Sequence, residues 1–296
     1  MIRTDLALEA RESFPEDDVE VKGVILKEEE KNGIKVTTLE IKDERAQKAM
    51  NKPVGMYITI EVNELDQDMP ELESVVGHYI EELTGGVKNK HIMVAGLGNR
   101  EVTPDALGPK VVDSLIATRH LIREFGKDFK DQYKMEALSA IAPGVMAQTG
   151  MESSEILQGI AKETKPDCLI VIDALAARST KRLNRTIQIT NTGISPGAGV
   201  GNNRKALNKD SLGIKVIALG VPTVVDALTI VEDRMREVLS KQGFSEDDSE
   251  NFILELNSET MRNMFVTPKD IDESVNLMSQ VIANSFNQLV YPVTSA

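Results

Sequence analysis

Two aspartates stand where α/β proteins place their chemistry, in the segments that follow runs of buried-type residues. Asp105 follows the apolar run HIMVAGLG and the tetrad Gly96-Leu97-Gly98-Asn99, at the end of Thr103-Pro104-Asp105. Thr103 suits a helix N-cap and Pro104 the first helical position, which predicts Asp105 in the first turn near the positive end of the helix dipole. Asp173 comes after five consecutive apolar residues in CLIVIDALAAR and emerges at the end of a predicted buried strand. A charge there is costly unless it is paired or used. Each aspartate has a plain structural account: Asp105 caps a helix, and Asp173 caps the next one or pairs with Arg178. If the two strands are neighbours, both carboxyls face one crevice. One, ionised, then activates water while the other, protonated, donates to the leaving group, and they titrate as a coupled pair.

Competing chemistry fails on context. Gly193-Ile194-Ser195-Pro196-Gly197 matches the serine-hydrolase elbow pattern, but a glycine-rich stretch follows where a helix is required. The histidines, His78, His91 and His120, all lie upstream of it. A dinucleotide fingerprint beginning at Gly96 meets Glu101 where its third glycine belongs. Cys168 sits inside an apolar run, which makes a thiol inert. His78, Glu81 and Glu82 lack zinc-site spacing and read as a solvated helix face, and Glu64, Asp66 and Asp68 as loop surface. Gly98 and Asn99, with Gly197 and Gly199 in the segment from Gly193 to Asn203, are candidates to meet a substrate backbone, since glycine admits positive φ and carries no side chain. A plain surface loop is the alternative.

The elements that must position these residues can be read from periodicity. Strand-like runs between Val19 and Val62, with Asn32-Gly33 between the first two, predict an antiparallel hairpin and a third strand. Residues 70–83 carry apolar positions at helical spacing, ended by Thr84-Gly85-Gly86. HIMVAGLG, ALSAIAP, CLIVID, TIQIT and VIALGV then alternate with helical patterns around 104–123, 152–163 and 222–240. This predicts an α/β three-layer sandwich: a largely parallel central sheet with helices on both faces, preceded by an antiparallel β segment and followed by a helical C-terminus. Two amphipathic patterns occupy residues 245–289, with Val266-Thr267-Pro268 as stop and restart. The first fifteen residues read as an exposed arm.

The net charge of −13 argues against nucleic-acid binding through a basic surface. One cysteine in 296 residues fits a reducing, cytoplasmic compartment. No apolar run reaches the roughly 18 residues of a membrane span.

The blocks RTDLALEARE, VAGLGNREVTPDALGP, APGVMAQTGMESSEI, PDCLIVIDALAAR, ITNTGISPGAGVGN and IALGVPTVVDA occur in order from residue 3 toward the C-terminal helices. Together they resemble the germination proteases of endospore-forming bacteria, which are similar in core fold to hydrogenase maturation proteases. The resemblance implies an endopeptidase that cuts small acid-soluble spore proteins during germination, working without a cofactor as a homotetramer in the forespore and spore core. It places the catalytic pair on Asp105 and Asp173, with either one as base and the other as protonated partner. It implies a zymogen that cuts its own N-terminus. The match in Thr4-Asp5-Leu6-Ala7-Leu8-Glu9 puts that cut between Asp5 and Leu6, giving a propeptide of residues 1–5, a β-rich segment with its helix over 6–84, a catalytic core over 85–240 and packed helices over 241–296. Two alternatives stand beside it. One is a metal-dependent maturation-type protease, which needs a third ligand beside the two aspartates; the other is a non-catalytic spore binding protein.

Overall fold

The computed structural model describes residues 4–14, 22–66, 69–197, 204–245, 248–249, 252–253 and 264–291. Its centre is one mixed sheet. In chain order the strands are β1 (Val24–Lys31), β2 (Ile34–Ile41), β3 (Gly55–Val62), β4 (His91–Gly96), β5 (Ala137–Ile141), β6 (Cys168–Ala177), β7 (Thr186–Thr190), β8 (Lys215–Asp226) and β9 (Phe265–Val266). Across the sheet they run β1-β2-β3-β7-β8-β6-β4-β5, with β9 on β8. The pairs β8/β6, β6/β4 and β4/β5 are parallel, while β1/β2, β2/β3, β3/β7, β7/β8 and β8/β9 are antiparallel. Strands β8, β6, β4 and β5 of the central α/β half are therefore parallel as the alternation of elements predicts, while β7, the TIQIT run, is antiparallel between β3 and β8. The N-terminal hairpin turns at Asn32-Gly33, both at positive φ, to extend the same sheet.

Burial on both faces explains the uninterrupted apolar runs. In β6, Cys168, Ile170 and Ile172 join the large core under helices α3 (Pro70–Thr84), α4 (Leu107–Ser114) and α10 (Ile271–Val290). Leu169 and Val171 face the other way, toward Leu157 of helix α7 (Ser153–Thr164). The alternation carries Asp173 onto the face of Leu169 and Val171. Helix α4 lies close on the carboxyl end of β4: a Cβ at Gly108 would come within 2.4 Å of the Leu97 carbonyl oxygen.

Several elements depart from the periodicity. Residues 104–123 form a 3₁₀ turn (Thr103–Asp105), α4 and the separate helix α5 (Arg119–Tyr133), not one helix. Strand β8 continues through Pro222-Thr223-Val224-Val225, where Pro222, Val224 and Val225 pair with β6 across a register shift at Thr223, and helix α9 (Ala227–Lys241) starts only after Asp226, which accepts from the Thr229 amide at 3.1 Å. Helix α2 (Glu44–Met50), capped by Asp43, was not signalled by the strand-like pattern around it.

The N-terminal residues are not the exposed arm that their mixed charge suggests. Leu6, Ala7, Leu8 and Glu9 are buried, and helix α1 (Ala7–Glu12) begins there. Leu6 joins Leu175, Ala177, Leu183 and Val225, and Ala7 joins Leu39 and Tyr57. Three adjacent apolar residues lie over the strand ends and gain more from burial than from solvent. Pro15 and the acidic run after it lie outside the described residues, as does most of the first amphipathic pattern of the tail.

The close approach of α4 and β4 yields a first prediction. Gly108→Ala should lower stability by roughly 1–3 kcal/mol, as expected for overpacking. Urea unfolding measures it; an unchanged midpoint would contradict the tight contact.

Candidate active site

Strand β4 pairs with β6 only from Ile92/Cys168 to Gly96/Ile172, so Asp173 lies one residue beyond the end of its neighbour. Strand β6 itself runs four residues further, to Ala177, alongside β8. Asp173 thus sits in mid-strand at the step where β4 stops. It does not cap a helix, and Arg178 makes a two-pronged contact with Asp233 instead, at 2.6 and 3.1 Å.

Asp105 reaches the same step from β4. Thr103 is not an N-cap; the 3₁₀ turn begins after Val102 and is held by the Asp105 amide donating to the Val102 carbonyl. Strand β8 anchors this turn, with Thr223 Oγ1 donating to the Pro104 carbonyl at 2.7 Å. Gly98, at φ +113°, is required here because a Cβ would fall 1.9 Å from the Asp105 carbonyl oxygen. The next amide, that of Asn99, donates to Asp105 Oδ2 at 2.9 Å.

The two aspartates line one cleft of about 430 Å³, together with Asp5, Gly98, Gly197 and Arg204. Asp173 is only 7% exposed. Burial pushes its carboxyl well above the ordinary range, and the charges of Asp105 and Asp5 push it the same way; the Ala174 amide, 3.0 Å from Oδ1, and Arg204 oppose. Burial also raises Asp105, with the Asn99 amide and Arg204 pulling it down. The two carboxyls are therefore unequal: Asp173, more deeply buried and facing the charges of Asp105 and Asp5, favours its proton, while Asp105 is less buried. That inequality suits a pair in which one group takes a proton while the other gives one. Among the described residues no three His, Cys, Asp or Glu side chains gather into a set that could hold a metal ion.

The N-terminal segment enters this cleft. The Asp5 amide donates to the Ala176 carbonyl at 2.9 Å and the Ala176 amide returns a bond to Asp5 Oδ2 at 2.9 Å. Four residues on, Glu9 is 1% exposed and accepts from the amides of Arg178 and Ser179 at 2.7 and 2.9 Å, with Thr4 Oγ1 also donating to it. Arg182 bridges Glu9, Glu12 and Glu61.

A germination protease family profile matches residues 2–261. The chain belongs to the germination protease family. It is 46% identical to a germination protease of Caldanaerobacter subterraneus subsp. tengcongensis over 98% of this chain and 94% of that one. It is 43% identical to one from Clostridium perfringens (98% and 95%) and 38% identical to one from Bacillus subtilis (100% and 95%). The NiFe hydrogenase maturation protease HycI from Thermococcus kodakarensis matches with a TM-score of 0.34 and 16% identity over 70% of this chain and 99% of that one. The family is one of proteases, in agreement with the resemblance read from the motif blocks.

Of the other residues singled out in the sequence, Gly98 and Gly197 line the cleft, while Asn99 serves it through its backbone; its side chain accepts from the Glu101 amide and Gln148. Gly199 lies outside the described residues. Leu6 points into apolar packing next to the cleft. Cys168 is buried, its thiol pushed up to about 11, an inert core residue. Sequence reasoning missed Arg204, Lys52, Gln188 and Thr223. Gln188, a polar residue inside TIQIT, is the one with a local signal: a buried amide in a strand needs partners.

The raised Asp173 carboxyl yields a second prediction. A carboxyl whose folded pKa lies above its unfolded value stabilises the fold while protonated and loses that contribution as pH rises through the folded value. Asp173→Asn removes the ionised state, so it should raise the thermal midpoint by a few degrees at neutral pH. The gain should vanish below about pH 3.9, where the unfolded carboxyl is also protonated. A midpoint lowered at neutral pH would contradict the unfavourable burial.

Proposed function

We propose that this chain is an aspartate-dependent endopeptidase of the spore, made as a zymogen that cuts itself between Asp5 and Leu6, and that its substrates are small acid-soluble spore proteins. The observation that supports this best is that Asp5 of the N-terminal segment lines the same cleft as Asp105 and Asp173. The substrate class, the homotetrameric assembly and the spore-core location follow from the resemblance of the motif blocks.

In this mechanism Asp105 is the ionised base, favoured by its lesser burial and the Asn99 amide, and Asp173 holds the proton. Asp105 takes a proton from water as the water oxygen bonds to the Asp5 carbonyl carbon. Asp173 gives its proton to the Leu6 nitrogen as the carbon–nitrogen bond breaks. No covalent intermediate with the protein is formed, in keeping with the absence of a serine or cysteine paired to a histidine in the motifs. Hydrolysis of a spore protein in trans follows the same two proton transfers.

The test is intact mass and N-terminal sequencing after incubation at mildly acidic pH. Wild-type protein should acquire a new N-terminus at Leu6, with or without chelator, while Asp105→Asn and Asp173→Asn keep residues 1–5 and lose activity on a spore-protein peptide by at least roughly 10²-fold. Processing retained in purified Asp105→Asn would refute the assignment, and processing abolished by chelator would favour a metal mechanism.

A further inference from the structure

The carbonyl of Asp5 faces a pair of donors that neither the motifs nor the aspartate mechanism assign. Lys52, half-buried in the segment between α2 and β3, donates from Nζ to the Asp5 carbonyl oxygen at 2.9 Å and to the Thr4 carbonyl oxygen at 3.2 Å. Gln188, buried on β7, donates from Nε2 to the same Asp5 oxygen at 3.3 Å. Its orientation is fixed by chemistry: the Ala7 amide donates to Oε1 at 2.7 Å, and an amide N–H can face only the oxygen end, which leaves Nε2 toward Asp5. Asp5 lines both the aspartate cleft and a second cavity of about 180 Å³ that holds Lys52 and Gln188. The residue thus lies between the carboxyl pair and the two donors.

We infer that Lys52 and Gln188 are catalytic residues for self-cleavage, a charged and a neutral donor that bind the Asp5 carbonyl oxygen and hold the negative charge that forms on it when water adds to its carbon. The inference rests on the proposed cut at Asp5–Leu6. In the proposed mechanism the proton of Asp173 goes to the Leu6 nitrogen, so the charge that develops on the Asp5 oxygen needs other donors, preorganised away from bulk water, where each is worth far more than in solution. An ammonium at 2.9 Å is a charge-assisted donor and shortens further as charge accumulates. Burial pulls the Lys52 ammonium down from its ordinary value, and the neighbouring Asp5 and Glu9 charges oppose that pull. As the peptide bond breaks, the oxygen regains its double bond in the new Asp5 carboxyl group, the Leu6 nitrogen leaves with the proton from Asp173, and both donors keep their own protons.

Docking of the segment does not depend on these two side chains alone. Ala176 holds Asp5, the Arg178 and Ser179 amides hold Glu9, and Leu6 is seated in apolar packing. A role in transition-state stabilisation can therefore be separated from a role as a tether. Lys52→Met removes the charged donor, and Gln188→Glu keeps an acceptor for Ala7 while turning an oxygen toward the Asp5 carbonyl.

The test uses the full chain. The first-order rate of appearance of the Leu6 N-terminus is measured by intact mass, and docking is read separately as amide hydrogen exchange over residues 7–10 in the uncleavable Asp173→Asn background. Each substitution should slow cleavage by roughly 10²–10³-fold with exchange protection unchanged. Cleavage within about threefold of wild type, or a loss of protection that parallels the loss of cleavage, would overturn the assignment. A wild-type chain that keeps residues 1–5 under every condition would instead bring down the self-cleavage reading, and the donor pair with it.

Discussion

The cost of holding a carboxyl out of water at Asp173 organises this end of the molecule. Strand β6 must run between two covered faces, so its residues are apolar until the neighbouring β4 ends. At that step the sheet opens a gap that a side chain can use, and a carboxyl placed there has one amide, one nearby guanidinium and little solvent. Its proton affinity rises as a consequence. Every other feature of the cleft adjusts to this: the glycine at position 98 lets the 3₁₀ turn close against β4, Thr223 fastens the turn to β8, and the Asn99 amide supports negative charge on the less buried Asp105.

The N-terminal segment is part of the same arrangement. Its apolar residues cover the ends of β6 and β8, and its two acids are met by backbone amides of β6 and the turn after it. Asp5 therefore adds a third carboxyl to the surroundings of the pair and raises the proton affinity of Asp173 further. Removal of residues 1–5 would relax that effect, which couples the state of the N-terminus to the titration of the site.

Much of this was legible in the residues. The β4 and β6 runs announced two-sided burial; a charge directly after such a run marked Asp173, and the turn opening a helix after the β4 run marked Asp105, without any knowledge of the partner strand. The Asn32-Gly33 turn and the helix over 70–84 followed from local chemistry, and the ordered motif blocks carried the family. What was hidden is what depends on distant pairing. Asp173 looked like a strand end because a charge interrupts the apolar run there, yet β6 continues through Ala174-Leu175-Ala176-Ala177, paired to β8. The helix expected from residue 222 yields to strand for the same reason. Lys52 and Gln188 meet Asp5 across separations of 47 and 183 residues, which no short spacing encodes. The mixed-charge opening read as solvent-exposed because its acids find partners only in the folded sheet.

The central claim is that the aspartates form an unequal pair in which Asp173 keeps its proton. Carbon-13 NMR of the labelled aspartate carboxyls, followed as a function of pH in the Lys52→Met protein, in which cutting of the segment is slowed, observes this directly. The account predicts that Asp173 titrates well above the usual carboxyl range and that Asp105 ionises before it, with each resonance sensing the other's transition. Two independent transitions near the ordinary aspartate value of about 3.9 would contradict it.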